Sequence, residues 1–187
     1  MGRWQPDALG KLQHAALTLY GERGFDATTV ADIAERAGLT KRTFFRYFAD
    51  KREVLFHGAE ALEELFVTQV IAAPASAPPL EAVTVALDAV AAAFEERREF
   101  AAHRQQIIAA NPALQERELI KLAKLADAVA AALRQRGVDD PAAPLTAEAA
   151  ILVFRVAFER WVARANEKDL EQLIHESFAE LRAVTAA

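Results

Sequence analysis

Residues 28–51 read TTVADIAERAGLTKRTFFRYFADK. Their spacing predicts two short helices joined by a tight turn, with the cap of a third behind them. Val30, Ile33, Ala34 and Ala37 stand at i, i+3, i+4 and i+7, one apolar face of a helix. Thr29 and, three residues on, Asp32 form a capping-box pattern, in which hydroxyl and carboxylate satisfy free amides of the first turn. Gly38 permits the left-handed backbone that closes a helix. Leu39 then turns inward, and Thr40 caps the next helix, Lys41 to Phe48. Asp50, with Glu53 three residues later, predicts a second box opening a further helix.

This layout is a helix-turn-helix, whose second helix offers side chains to a major groove. Lys41 and Arg42 lie at its N-terminal end. Arg can fork onto guanine, and Lys can reach guanine or phosphate. Thr43 offers a hydroxyl to phosphate or a methyl to thymine, and Arg46 and Tyr47 follow on the same short helix, with Phe44 and Phe48 as its apolar back. Upstream, a helix from about Asp7 to Arg23 turns Leu9, Leu12, Ala16, Leu19 and Tyr20 inward, Gly24 ends it, and Phe25 folds back. Leu12, Ala16, Leu19, Phe25, Val30, Ile33, Leu39, Phe44 and Phe48 are the expected core of this three-helix head.

The same residues resemble the DNA-binding domain of TetR-type transcriptional regulators. Ala15–Tyr20 and Glu22–Phe25 look like the end of that family's first helix and the turn after it. Thr28–Ala34 is similar to its second helix, Thr40–Phe48 to its third, and Asp50-Lys51 to the start of its fourth. The resemblance covers roughly the first third of the chain. It implies DNA contacts at Thr29, Thr40, Lys41, Arg42, Thr43, Phe45, Arg46, Tyr47 and Lys51, with Tyr47 and Lys51 at phosphates, which set register without reading sequence. Two positions depart from the family pattern. Arg42 stands where glycine is common and adds a long cation. Phe45 stands where tyrosine is common and lacks the hydroxyl for a polar phosphate contact.

Length and composition bound the rest. The 187 residues are 53% apolar and 26% charged, enough for one packed domain or two small ones sharing a helix. There are no cysteines, which excludes disulfides, thiolate catalysis and cysteine-bound metals. No apolar run approaches the roughly 20 residues of a membrane span, and nothing near Met1 reads as a signal peptide, so a cytoplasmic protein is expected. The net charge of −5 is unevenly distributed. Residues 1–56 carry nine Lys/Arg and seven Asp/Glu, and the remainder thirteen against twenty. A mildly basic head on an acidic body approaches DNA head-first. The tail Met1–Pro6, with Arg3 and Trp4, reads as an unstructured end or an arm reaching DNA.

Beyond the head the pattern is helical throughout, giving an all-α expectation of about nine helices: residues 1–50 as the DNA-binding domain and 51–187 as a helical body. One helix is predicted from Asp50 to about Ala72. On it His57, Glu60 and Glu64 read as a solvated face rather than metal ligands, and no metal or cofactor is expected. Ala73–Pro79 is a linker whose prolines forbid helix continuation. Helices follow over Leu80–Arg98, Phe100–Ala110 and Pro112–Arg136, the last opened by Asn111-Pro112, with Leu119, Leu122, Leu125, Val129 and Leu133 inward. Val138–Leu145 reads as a Pro-rich loop before a helix capped by Thr146, and Leu170–Val184 closes the chain.

The last two helices are apolar nearly all round, which a small body achieves by pairing them with a second copy. Ile151, Val162, Leu170, Ile174, Phe178 and Leu181 are the expected interface. The resemblance implies the same, since the family dimerises through its final two helices, and a twofold pair of readers matches a palindrome with half-sites about 34–36 Å apart. It also implies a ligand pocket in the body, with Phe66, Leu87, Phe94, Phe100, Ile107, Leu122, Phe154, Phe158 and Trp161 as candidate walls. Each is equally a plain core residue. A cation in such a zone needs a partner. His103, Arg104 and Arg155 are therefore candidates to hold the carboxylate or phosphate of an amphipathic effector such as a fatty acid or acyl-thioester, while Glu159, four residues after Arg155, offers it a structural pair.

The expectation is a ligand-responsive repressor that binds a palindromic operator in double-stranded DNA as a homodimer and is released by a small, largely apolar effector. A protein-interaction module without DNA binding is the first alternative, opposed by the clustered cations Lys41, Arg42, Arg46, Lys51 and Arg52. An enzyme is the second. It has four scattered histidines and no HExxH, nucleophile elbow or glycine-rich phosphate loop to support it.

Overall fold

The computed structural model describes residues 8–186, so the N-terminal tail and its reading as an arm lie outside the described residues. Among them the chain is all-α. Its helices are α1 (Ala8–Arg23), α2 (Val30–Arg36), α3 (Lys41–Tyr47), α4 (Glu53–Phe56), α5 (Ala59–Ala72), α6 (Pro79–Phe94), α7 (Arg98–Ala109), α8 (Pro112–Gln135), α9 (Ala142–Val162) and α10 (Leu170–Thr185), with a 3-10 turn, Glu95–Arg97, between α6 and α7.

These helices form two compact units. The first comprises the chain as far as His57 together with His103–Glu118. The second comprises Gly58–Ala102 and the chain from Leu119 onward. The expected division at residue 50 is therefore not the grouping that packing produces: residues 51–57 and a segment more than forty residues downstream belong with the helix-turn-helix.

In the first unit Leu12, Ala16, Leu19, Ile33, Phe44 and Phe48 are buried as expected, joined by Val54, Leu55, Ile108 and Leu114. Val30 and Leu39 are half-buried. Asn111 caps α8 as its sequence predicts, accepting from the Ala113 and Leu114 amides at 3.1 and 3.3 Å. In the second unit α6 packs on α5, α9 and α10, and α9 on α10. Phe66, Val83, Leu87, Val129, Leu133, Phe154, Trp161 and Ile174 belong to one core.

Four local expectations change. The helix predicted from Asp50 to Ala72 breaks into α4 and α5 at Gly58, whose φ of +96° lies in the left-handed region open to glycine. Helix α9 starts at Ala142, not Thr146, because Pro144 lies in its first turn, where a missing amide proton costs no hydrogen bond. Leu119 is 56% exposed rather than inward. The Asp50 box is half made: Asp50 accepts from the Arg52 and Glu53 amides, but the Glu53 carboxylate pairs with Arg117 at 2.6 Å.

Candidate functional site

The reader helix is set by its two neighbours. The Thr29 capping box is complete: its hydroxyl accepts from the Asp32 amide at 3.2 Å, and Asp32 Oδ2 accepts from the Thr29 amide at 2.8 Å. These bonds hold the Asp32 carboxyl below the usual carboxylate range. Gly38 has φ +67°, and the Leu39 amide donates back to the Ala34 carbonyl at 2.8 Å, so the turn closes at once. Thr40 caps α3 by accepting from the Thr43 amide at 3.1 Å, and the two threonine hydroxyls lie 3.0 Å apart.

Helix α3 is sharply divided. Phe44 is fully buried and Phe48 nearly so, with ring centroids 5.3 Å apart. Lys41, Arg42, Phe45, Arg46 and Tyr47 face solvent, and Thr43 is half-buried. The Arg46 guanidinium stacks 4.9 Å from the Tyr47 ring centroid and donates to the Tyr47 hydroxyl at 3.0 Å, which fixes both side chains side by side. Phe45 is 56% exposed, a large apolar ring on a surface otherwise made of cations and hydroxyls. It edges onto Phe44 at 5.5 Å, which limits its freedom.

Lys51 has a different position from the one expected. Its ammonium donates to the carbonyls of Phe25, Asp26 and Thr28 at 2.8, 3.2 and 2.9 Å, so its three protons hold the turn between α1 and α2. The Tyr20 hydroxyl donates to the Lys51 carbonyl at 2.6 Å, and burial, helped by nearby Asp50, pushes the Tyr20 phenol well up. Lys51 therefore leaves the set of free phosphate ligands and becomes the clasp behind the reader.

An exposed, capped helix with three cations, backed by buried rings and following a second short helix and a tight turn, is the layout of a helix-turn-helix. The profile for "Bacterial regulatory proteins, tetR family" matches residues 12–57, and that for "MftR C-terminal domain" matches residues 77–186, more than half the chain. This chain belongs to the TetR family of transcriptional regulators.

Among its relatives, the HTH-type transcriptional regulator TcmR of Streptomyces glaucescens is 40% identical over 80 residues, 43% of this chain and 35% of TcmR. The HTH-type transcriptional repressor KstR2 of Mycobacterium tuberculosis is 41% identical over 46 residues, 25% of this chain and 23% of KstR2. The matches thus span well under half of either relative. Two Thermus thermophilus structures share the fold. FadR, a TetR-family repressor solved with lauroyl-CoA, has a TM-score of 0.57 and 23% identity, covering 92% of both chains. PfmR has a TM-score of 0.51 and 25% identity, covering 91% of this chain and 97% of PfmR. Among the described residues no helix is long and apolar enough to cross a membrane.

The residues expected to line a TetR-type effector pocket fall into two sets. Phe94, Phe154, Phe158 and Trp161 form a ring cluster in the second unit, with centroids 5.6–6.2 Å apart. Phe66 is buried in the same core, and Phe100 carries Arg97 5.4 Å from its ring centroid. His103, Arg104 and Ile107 belong instead to the first unit. Arg104 donates to the Leu55 carbonyl at 2.6 Å, pairs with Glu118 at 2.9 Å and lies 5.2 Å from the Phe56 ring centroid. Through Nε and Nη1 it ties α7 and α8 to α4 within the first unit, and Glu118 already balances its charge. Arg155 is exposed on α9 and does not share the face of Phe154, Phe158 and Trp161, which stand at i, i+4 and i+7. The structural pair expected between Arg155 and Glu159 does not form.

Four of the six expected dimer residues are covered within one chain. Ile151, Leu170, Ile174 and Phe178 are 6%, 2%, 0% and 3% exposed, and Val162 and Leu181 pack partly buried against the same core. One chain uses this stripe to join α9 and α10 to α6. Apolar periodicity reveals a buried face but not whose surface buries it.

Arg98 is a structural residue the sequence did not single out. It donates from Nε to the Trp161 carbonyl at 3.0 Å and from Nη2 to those of Ala163 and Asn166 at 3.1 and 2.6 Å, placing a cation at the negative end of α9.

Proposed function

We infer that this TetR-family regulator is a repressor that binds a palindromic operator as a homodimer and is released by a small, largely apolar effector. One observation carries the reading: α3 turns Lys41, Arg42 and Arg46 outward while Phe44 and Phe48 lock its back into the first unit. Lys41 and Arg42, at the N-terminal end, address base edges. Thr43, Phe45, Arg46 and Tyr47 address sugar, thymine methyl and phosphate. Thr29 and Thr40 place exposed hydroxyl caps beside them.

The ring cluster of Phe94, Phe154, Phe158 and Trp161 supports an apolar effector. The complex of Thermus thermophilus FadR with lauroyl-CoA makes acyl chains the first class to test. Such a ligand shifts the regulator off DNA only to the extent that it binds the released conformation better than the DNA-bound one. Selection of bound duplexes from a random pool tests the reading. An inverted repeat whose enrichment falls steeply with salt is expected. Recovery of no motif, or of a single unrepeated half-site, would remove the palindromic reading.

A further inference from the structure

Among the described residues, Asp88 of α6 and Glu171 and His175 of α10 bring one possible ligand atom each to within 4.8 Å of one another. Glu171 and His175 stand at i and i+4, one turn apart on the same face of α10. Asp88 meets them from α6. Both backbones are held at this point, because Leu87 beside Asp88, and Leu173 and Ile174 between the α10 pair, are buried in the core of the second unit.

The Asp88 carboxylate carries the argument. Its Oδ1 is buried and has no hydrogen-bond partner. His175 Nε2 lies 3.0 Å from that oxygen, an ion-pair contact by distance, yet it aims no proton along the line. A buried carboxylate oxygen without a donor is costly, and such atoms are normally satisfied by protein, water or an ion. Two ligand atoms this close, and not hydrogen-bonded to each other, can share a cation. Tetrahedral zinc, with bonds of about 2.0–2.2 Å, sets its ligands about 3.3–3.5 Å apart. The Asp88–His175 pair is already near that spacing, and the exposed Glu171 side chain can close the third corner by rotation.

The donor set selects the ion. Magnesium and calcium take oxygen ligands, whereas an imidazole with carboxylates suits zinc and similar late first-row ions. The chain has no cysteine, so thiolate-seeking ions find no ligand. One nitrogen and two carboxylates leave a fourth position for water.

We propose that Asp88, Glu171 and His175 bind a divalent cation of the zinc type, which fastens α6 to α10 within the second unit. No local pattern marks the trio, because Asp88 lies far along the chain from the α10 pair. The site is independent of the operator, effector and dimer readings.

The test is calorimetric titration of the full, untagged chain with zinc chloride after dialysis against a chelator. One equivalent should bind, and magnesium should not compete. Asp88→Asn, Glu171→Gln and His175→Ala should each weaken zinc binding by about tenfold or more, since even an outer partner of a metal ligand is worth that much. His14→Ala, which removes an exposed histidine on α1, should bind as wild type does. Zinc should also raise the thermal midpoint of wild type and not that of His175→Ala. Glu171 and His175 are exposed, so their variants should keep the fold, as circular dichroism will show, even if Asp88→Asn does not. A wild type that binds no zinc would overturn the proposal. So would zinc bound equally well by the α10 variants, which marks adventitious surface binding, or magnesium bound as tightly as zinc.

Discussion

The Lys51 ammonium donates to the Phe25 carbonyl at 2.8 Å and lies 4.4 Å from the centroid of the same residue's ring. A single side chain thus fastens the turn that carries α2 and α3, by hydrogen bonds and by a cation over an aromatic face. Lys51→Met keeps the stem and removes the donors, leaving three carbonyls without their partner. The expected loss is about 1.5–3 kcal/mol in urea denaturation. If Lys51 acted only on phosphate, the same variant would lose operator affinity with an unchanged denaturation midpoint.

Arg98 makes a comparable clasp in the second unit, with three carbonyls at the end of α9. Arg98→Ala should cost about 2–3 kcal/mol, because a charged donor and its acceptors are all released. Arg98→Lys retains the charge but not the fork that reaches residues 161, 163 and 166 together, so it should recover less than half of the loss. Thermal denaturation of the three proteins side by side provides the comparison.

The caps of the first unit give a pH dependence with a definite sign. The hydrogen bond from Arg52 holds the Asp50 carboxyl below its ordinary value, and the Thr29 bonds do the same for Asp32. For a group whose pKa is lower in the folded state, the contribution is present above the unfolded value, about 3.9 for Asp, and is lost as pH falls through the folded one. Wild type should therefore be more stable than Asp50→Asn at pH 7, and the two should converge as the pH drops below about 3.9. A gap that persisted unchanged into acid would show that the charge of Asp50 plays no part.

What was legible in the sequence is what short-range chemistry fixes. The Thr29–Asp32 box, the Gly38 turn and the Thr40 cap are satisfied within three to five residues, so their patterns translate directly into geometry. The reader face follows, since burying Phe44 and Phe48 leaves Lys41, Arg42 and Arg46 outside. Long-range partners were not legible. Arg104 bonds a carbonyl 49 residues away and Arg98 one 63 residues away, and no local pattern marks either. The stripe through Leu170, Ile174 and Phe178 was legible as buried but not as intrachain, because apolar spacing is the same whichever surface covers it. Gly58 did carry a signal. The apolar spacing on both sides of it read as continuous, although a glycine at positive φ was free to break the helix.

Arg42 and Arg46 are both exposed on α3, but they should fail differently when removed. Arg42 is in the first turn, where a guanidinium can fork onto a guanine edge. Arg42→Ala should weaken operator binding by about 1–3 kcal/mol and relax base preference at one position in each half-site. Arg46 is stacked on Tyr47 and bonded to its hydroxyl, a posture suited to phosphate. Arg46→Ala should weaken all duplexes about equally and lower the slope of log affinity against log salt by about one for each phosphate the arginine neutralises. Affinities for the selected operator and for single-base variants, measured across a salt series, separate the two. Equal losses on every duplex for Arg42→Ala would reassign that side chain to the backbone and leave Lys41 as the cation that reads sequence.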